Sequence, residues 1–93
     1  MANKTEIIWV FHGASSRFTS GVFSSLDIAD EWIRKHNLTG TLTKYPLNIG
    51  VYDWCLENEL FEIKTENEAS PDFIQNFTSA SQEHLHYEGG ERC

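Results

Sequence analysis

The sequence predicts an α+β domain in which a mostly antiparallel sheet carries two to three short helices packed on one face. The first observation behind this fold class is the order of elements, because β-branched and aromatic runs alternate with short amphipathic stretches as β-β-α-β-α-β-α-β. The second is length: 93 residues make one domain with one modest core. The third is composition, because Phe, Tyr and Trp form 13% of the chain and must supply much of that core.

The first two strands form a predicted hairpin. Glu6 to Gly13 contains a nearly continuous β-branched and aromatic run, which is typical of a central strand covered on both faces. Residues 13–16 break this run, and Phe18 to Phe23 returns as the second strand.

Helical spacing predicts three helices. Ser24 or Ser25 caps the first helix, and Gly40 follows its end. Val51 to Leu60 forms the second, and Pro71 to Phe77 the third. The apolar stripe of the first helix consists of Leu26, Ala29, Trp32, Ile33 and His36.

The remaining segments alternate between extended and loop structure. Thr39 to Tyr45 is a predicted strand, and Phe61 to Lys64 a short strand or extended segment. Thr65 to Ser70 is a polar, acidic loop, and His84 to Glu88 is the last strand. We expect one domain over residues 1–93 with flexible ends at 1–5 and 90–93.

The compartment predicted from the sequence is the cytoplasm. Cys55 and Cys93 do not form a disulfide framework or a zinc motif, which favours a reducing environment. No signal peptide is visible at the N-terminus, and no apolar run approaches the roughly 18 residues of a membrane span.

Charge is distributed unevenly along the chain. Residues 1–50 carry a net charge of +1 and residues 51–93 a net charge of −8, which gives −7 in total. A one-sided negative field attracts basic partners and repels nucleic acid. We therefore expect a basic protein partner and no nucleic-acid or membrane partner.

The densest run of carboxylates is the candidate partner-binding site. The alternative is that this run is only a solvated face of the domain. A calcium loop is disfavoured because its D-x-D-x-D-G spacing is absent. The candidate residues are Asp53, Glu57, Glu59, Glu62, Glu66 and Glu68.

Histidines offer a rival interpretation as a small metal-binding or hydrolytic enzyme. His84 and His86 point the same way on a strand, and His12 could join them around a metal ion or act as a base beside a serine. No H-E-x-x-H or G-x-S-x-G motif supports this chemistry. We therefore predict no catalytic residue, metal or cofactor, and interpret the histidines as solvent-face residues. Trp9, Trp32 and Trp54 are predicted to be core residues.

Three stretches carry a resemblance to a family of small, uncharacterised bacterial domains. They are Trp9-Val10-Phe11-His12-Gly13, then Tyr45-Pro46-Leu47 with Gly50-Val51-Tyr52-Asp53-Trp54, then residues 77–84 and His86-Tyr87-Glu88. The resemblance covers nearly the whole chain and implies no activity.

The chain is also similar in general character to the immunity proteins of bacterial toxin systems, which are short, acidic and without an enzyme motif. The leading functional hypothesis is therefore an immunity protein that occludes the active site of a cognate toxin domain, such as a basic nuclease. A housekeeping domain with a small ligand is a further alternative.

Overall fold

The computed structural model describes residues 6–93, so the predicted flexibility of residues 1–5 lies outside the described part. It confirms the α+β class: a five-stranded antiparallel sheet in the order β2-β1-β3-β4-β5 with short helices. The elements are β1 Ile7–Gly13, β2 Thr19–Phe23, α1 Leu26–His36, β3 Gly40–Pro46, α2 Val51–Glu57, a 3-10 helix Glu66–Ala69, α3 Pro71–Gln75, β4 His84–Glu88 and β5 Glu91–Arg92. Within residues 6–93, no helix has the length and apolar character needed to cross a membrane.

One face of the sheet is apolar because of its register. Phe11 of β1 lies opposite Leu42 of β3, and Leu42 lies opposite Leu85 of β4. Directly opposed residues of antiparallel strands share a face, so these side chains form one row. Phe11 and Leu42 are almost fully buried.

Helix α1 covers this apolar row. The Ser25 hydroxyl accepts a hydrogen bond from the Ile28 N–H at 3.2 Å, so Ser25 is the cap of the two serines predicted. Ala29 and Ile33 have no exposed surface. Trp32 is partly buried, with its ring centroid 5.8 Å from that of Phe11. The core cluster of buried residues is Trp9, Phe11, Ala29, Ile33, Leu42 and Tyr87.

The opposite face of the sheet, called the open face below, is mixed in polarity and exposed or half-buried. His12, Thr41 and His86 form one row across β1, β3 and β4. Val10, Val22, Thr43 and His84 form the next, and Val22 is 61% exposed.

A second apolar cluster lies in the segment that contains α2, the 3-10 helix and α3. Its ring centroids are 5.0 to 6.3 Å apart. The hydroxyl of Tyr52 donates to the backbone oxygen of Glu68 at 2.7 Å and so ties α2 to the 3-10 helix. The cluster consists of Tyr52, Phe61, Phe73 and Phe77.

The structure differs from the sequence prediction in several places. Residues 66–69 form a 3-10 helix instead of a loop, whereas residues 61–64, predicted as a short strand or an extended segment, belong to no strand. Glu91 and Arg92, expected in a tail, pair with β4 as β5. Trp54 lies outside the core cluster, whereas Trp9 and Trp32 belong to it or pack on it.

Candidate partner-binding surface

The predicted acidic residues all lie in the α2–α3 segment, residues 51–77. Asp53 is in the first turn of α2 and Glu57 is its last residue. Glu59 and Glu62 follow in the connection, and Glu66 and Glu68 lie in the 3-10 helix. All are exposed except Glu68, which is partly buried.

Glu68 has a structural role. Its Oε1 accepts a hydrogen bond from the Lys64 N–H at 2.7 Å, and its own N–H donates to the Thr65 hydroxyl at 3.4 Å. Its backbone oxygen holds the Tyr52 hydroxyl. This carboxylate therefore stabilises the turn before the 3-10 helix, whereas the other five predicted residues are exposed.

Helix α2 ends in a reversal that places Glu59 in a left-handed conformation. The Leu60 N–H donates to the Cys55 oxygen at 2.8 Å, and the Glu59 N–H donates to the Leu56 oxygen at 3.2 Å. This is the Schellman pattern, whose left-handed residue is usually glycine. Here that residue is Glu59, with φ at +59°.

Helix α1 ends with the same pattern but with a residue suited to it. The Leu38 N–H donates to the Ile33 oxygen, and Asn37 has φ at +55°. Asparagine tolerates this conformation, whereas for other residues it costs roughly 1–2 kcal/mol. Nothing in the helix geometry requires a carboxylate at position 59.

Exposed aliphatic side chains lie beside the carboxylates. Leu60 and Ile63 are 45% and 44% exposed. They alternate along the connection with Glu59 and Glu62. A shallow depression there is lined by Leu56, Glu59, Phe61, Glu62 and Ile63. The surface therefore offers both negative charge and apolar area.

The carboxylates of this segment make no ion pair with a Lys, Arg or His side chain of residues 6–93. The ion pairs found there join Arg34 and Arg92 to Asp30, and Lys44 to Glu83. The segment holds seven Asp and Glu residues and a single cation, Lys64. Its charge is therefore not neutralised by the domain itself.

The histidines are only partly brought together. His84 and His86 are neighbours on the open face, with ring centroids 5.2 Å apart. His12 lies beyond β3 from them, and its Nε2 is 2.6 Å from the Ser16 backbone oxygen. Among residues 6–93, no three His, Cys, Asp or Glu side chains are grouped so that they could hold a metal ion.

A group of titratable side chains connects α1 with β4 and β5. The Tyr87 hydroxyl donates to Asp30 Oδ1 at 2.7 Å, and the guanidinium of Arg34 donates to Oδ2 at 2.7 Å. Arg92 donates to Asp30 at 3.3 Å and to Tyr87 at 3.2 Å.

These contacts shift the pKa values of the group. The Arg34 hydrogen bond is the main cause that lowers the pKa of Asp30, and desolvation opposes it. Burial, followed by the hydrogen bond to Asp30, raises the pKa of Tyr87. All four side chains are satisfied within the fold, so we interpret the group as structural.

A cleft of about 270 Å³ lies at the end of β1 and β3 and was not predicted from the sequence. Trp54 lines it together with Lys44, Tyr45 and buried Gln82. These residues lie in or beside the three stretches that carry the family resemblance. The cleft could not be predicted because positions 45, 54 and 82 are far apart in the sequence and come together only in the fold.

The comparisons with known proteins identify a family without a described function. A family model described as "Domain of unknown function (DUF7710)" matches residues 8–93. No curated protein and no solved structure matches the chain. The matched range spans all the strands and helices described above except the first residue of β1. The chain therefore belongs to the DUF7710 family of uncharacterised domains.

Proposed function

We propose that this domain is a cytoplasmic immunity protein that captures a basic toxin domain on its α2–α3 segment and occludes that domain's active site. The partner class follows from charge. A nuclease must attract phosphate, so its cleft is rich in Lys and Arg, and a carboxylate surface can occupy that cleft in place of the phosphates.

The single observation that carries the proposal is Glu59. A residue other than Gly or Asn in a left-handed position is a local cost that persists where something else selects for it. Glu59 is exposed, lacks an ion pair within residues 6–93 and lines the depression together with Leu56 and Ile63. A role in contacting a cationic partner accounts for a carboxylate at this position.

The neighbouring side chains support contact with a protein rather than with a simple cation. Interfaces combine an apolar centre with a polar rim, and steered association depends on charge while residence depends on buried apolar contacts. Leu60 and Ile63 provide the apolar part, and Glu57, Glu59 and Glu62 provide the charge.

The first experiment reverses Glu57, Glu59 and Glu62 to Lys and co-expresses the variant with the toxin domain encoded beside it. Exposed charges contribute only about 0–1 kcal/mol each, so the fold should remain intact. Association should slow by about 10- to 10³-fold at low salt, with loss of protection from the toxin. The difference in association rate should shrink at high salt, because the Debye length is about 10 Å at 0.1 M salt and falls as the salt concentration rises.

A matched control changes the net charge equally at another place. Glu31, Glu88 and Glu91 are exposed and lie on α1, β4 and β5. Their reversal to Lys should slow association much less and leave protection intact. Equal effects of the two triple variants would show that only overall charge matters, and the assigned surface would be wrong.

The second experiment separates function from folding at Glu59. Glu59→Asn should raise the free energy of unfolding by up to about 1 kcal/mol, since Asn tolerates the left-handed backbone. The same variant should bind the toxin domain about fivefold more weakly, which corresponds to ~1 kcal/mol. A variant that is more stable and binds equally well would contradict the role given to Glu59.

A further inference from the structure

We propose that His84 and His86 form a two-histidine binding site on the open face for a divalent transition-metal ion of the Zn²⁺, Ni²⁺ and Cu²⁺ class. The site is separate from the acidic surface and does not depend on the proposed function. It also differs from the three-histidine arrangement that the sequence raised, because His12 takes no part.

The two imidazoles are neighbours on one face of β4. They lie two residues apart on β4 and so point to the same face. Their ring centroids are 5.2 Å apart, with an angle of 89° between the planes. Histidine nitrogens bind such ions at about 2.0–2.1 Å, so the two ligand atoms need to lie within roughly 4 Å of each other. Both residues are exposed, which leaves space for the His86 ring to turn towards that of His84.

The hydrogen bond of His84 leaves the required lone pair available. Its Nδ1 lies 2.9 Å from the Gln82 carbonyl oxygen, which can only accept a hydrogen bond. The proton therefore sits on Nδ1 and the lone pair on Nε2. Gln82 is 5% exposed, and its amide donates to the Lys44 oxygen at 3.4 Å, which holds this segment in place. Metal-binding histidines are commonly oriented by such a carbonyl.

His86 is free to adopt either tautomer. Its Nδ1 lies 3.5 Å from the Thr41 hydroxyl, a group that can donate or accept. On the far side of Thr41, the ring of His12 points to the Ser16 carbonyl. His12 also lies two strand spacings away, roughly 9–10 Å, and its Nε2 is engaged by the Ser16 carbonyl, so it is not grouped with the pair.

The imidazole ligands and the net charge of the chain determine which ions the site would bind. Imidazole suits Zn²⁺, Ni²⁺ and Cu²⁺, whereas Mg²⁺ and Ca²⁺ prefer oxygen ligands. The net charge of −7 attracts cations generally. Two protein ligands leave the remaining positions to water, so the ion would be exchangeable.

The test is titration of the tag-free chain with Ni²⁺ in a calorimeter. We expect one ion per chain. Because the second ligand binds intramolecularly once the first has bound, His84→Ala and His86→Ala should each weaken binding on the order of 10²-fold. His12→Ala is the matched control and should change affinity less than about twofold.

A spectroscopic readout assigns the ligand atoms independently. Zn²⁺ should shift the imidazole ¹⁵N resonances of His84 and His86 and leave those of His12 and His36 unchanged. Circular dichroism should show the same fold for every variant, because both ligands are exposed. Binding that survives both β4 substitutions, or that is lost in His12→Ala, would overturn the assignment, as would one ion shared by two chains.

Discussion

At the scale of single residues, the need for glycine at position 40 arises from strand pairing in the sheet. The sequence places it after the end of α1, where a glycine commonly stops a helix, but the left-handed residue at that end is Asn37. Gly40 instead begins β3, directly opposite Gly13. A Cβ at position 40 would lie 2.7 Å from the Phe11 ring and 2.9 Å from the Gly13 Cα, and it would clash with the His12 backbone oxygen.

Gly40→Ala is therefore expected to destabilise the domain strongly. Forcing a methyl group between paired backbones costs typically about 1–3 kcal/mol or more. Thermal unfolding should shift down by roughly 4–8 °C for each kcal/mol in a domain of this size. Gly13→Ala is the matched control on the facing strand, since its Cβ would meet only the Ser16 Cβ, at 3.6 Å. Equal melting temperatures for the two variants would contradict this packing argument.

Asp30 gives a residue-scale prediction for acid stability. Its pKa in the folded state is lowered, chiefly by the hydrogen bond from Arg34. A lowered pKa contributes stability that is present above the unfolded value, near 3.9, and is lost as pH falls through the folded value. The free-energy difference between wild type and Asp30→Asn should therefore be largest near neutral pH and shrink in acid.

Denaturant unfolding from pH 7 down to pH 2 measures this dependence. Asp27→Asn is the control, because Asp27 is exposed on the same helix and forms no ion pair within residues 6–93. A constant difference between wild type and Asp30→Asn over the whole range would show that Asp30 acts through packing alone.

At the scale of elements, predictability followed the strength of the local signal. Helix α1 could be predicted almost to its ends, because Ser25 caps it and its apolar stripe has a clear helical period. Strand β5 could not be predicted, because two residues, Glu91 and Arg92, are too few to show a hydrophobic period. They are held in place by pairing with β4 and by the contact between Arg92 and Asp30. The 3-10 helix could not be predicted either, because its four residues are mostly polar or charged and show no hydrophobic period.

In the candidate partner-binding surface, too, only the features with a local sequence signal could be predicted. Its charges could be read directly from the sequence, and the six acidic residues remain a predicted binding site. Backbone conformation and hydrogen bonding could not be read. The left-handed φ of Glu59 and the structural role of the Glu68 carboxylate both depend on how α2 ends and how the 3-10 helix begins.

Hairpin β4–β5 should contribute measurably to stability. Gly89 and Gly90 have φ values of +58° and +87°, as a tight two-residue turn requires. The Gly90 N–H donates to the Leu38 oxygen and the Cys93 N–H to the His86 oxygen, both at 2.9 Å. Removal of residues 90–93 should lower the free energy of unfolding by about 2 kcal/mol, at ~0.5–1.5 kcal/mol for each hydrogen bond.

Chemical denaturation of the shortened chain checks this value. Cys93→Ser keeps the backbone donor and an exposed side chain, so its midpoint should equal that of the wild type. If the shortened chain also had the wild-type midpoint, β5 would make no contribution to the free energy of unfolding.

At the scale of the whole molecule, the two apolar clusters divide the domain. The radius of gyration is 14.9 Å, compared with about 12 Å for a compact domain of this length. The core cluster joins α1 to the sheet, while the cluster of Tyr52, Phe61, Phe73 and Phe77 holds the α2–α3 segment. Segments with fewer contacts to the core open more readily than the core itself.

Hydrogen exchange should therefore resolve two levels of protection. Phe73→Ala is expected to speed exchange of the amides in residues 66–77 and to leave β1 and β3 at the rate set by global unfolding. Ile33→Ala, which opens a cavity in the core, should speed exchange everywhere. A uniform effect of Phe73→Ala would show that the two clusters unfold together.

The two edges of the sheet differ, and this difference limits how copies of the chain would associate. Strand β2 is an outer strand of five residues, Thr19 to Phe23, with no charged side chain. The opposite edge, β5, is two residues long and carries Glu91 and Arg92. Charged, very short edges resist the addition of another strand, whereas uncharged edges invite it.

Among the strands of residues 6–93, β2 is thus the edge that favours strand addition. Two copies joined through β2 would form a continuous ten-stranded sheet with a short, charged β5 at each end, which resists further growth. Sedimentation at rising protein concentration should therefore show association that stops at a pair, and larger species would contradict this view of the edges. A protein with one receptive edge can pair, but it cannot polymerise.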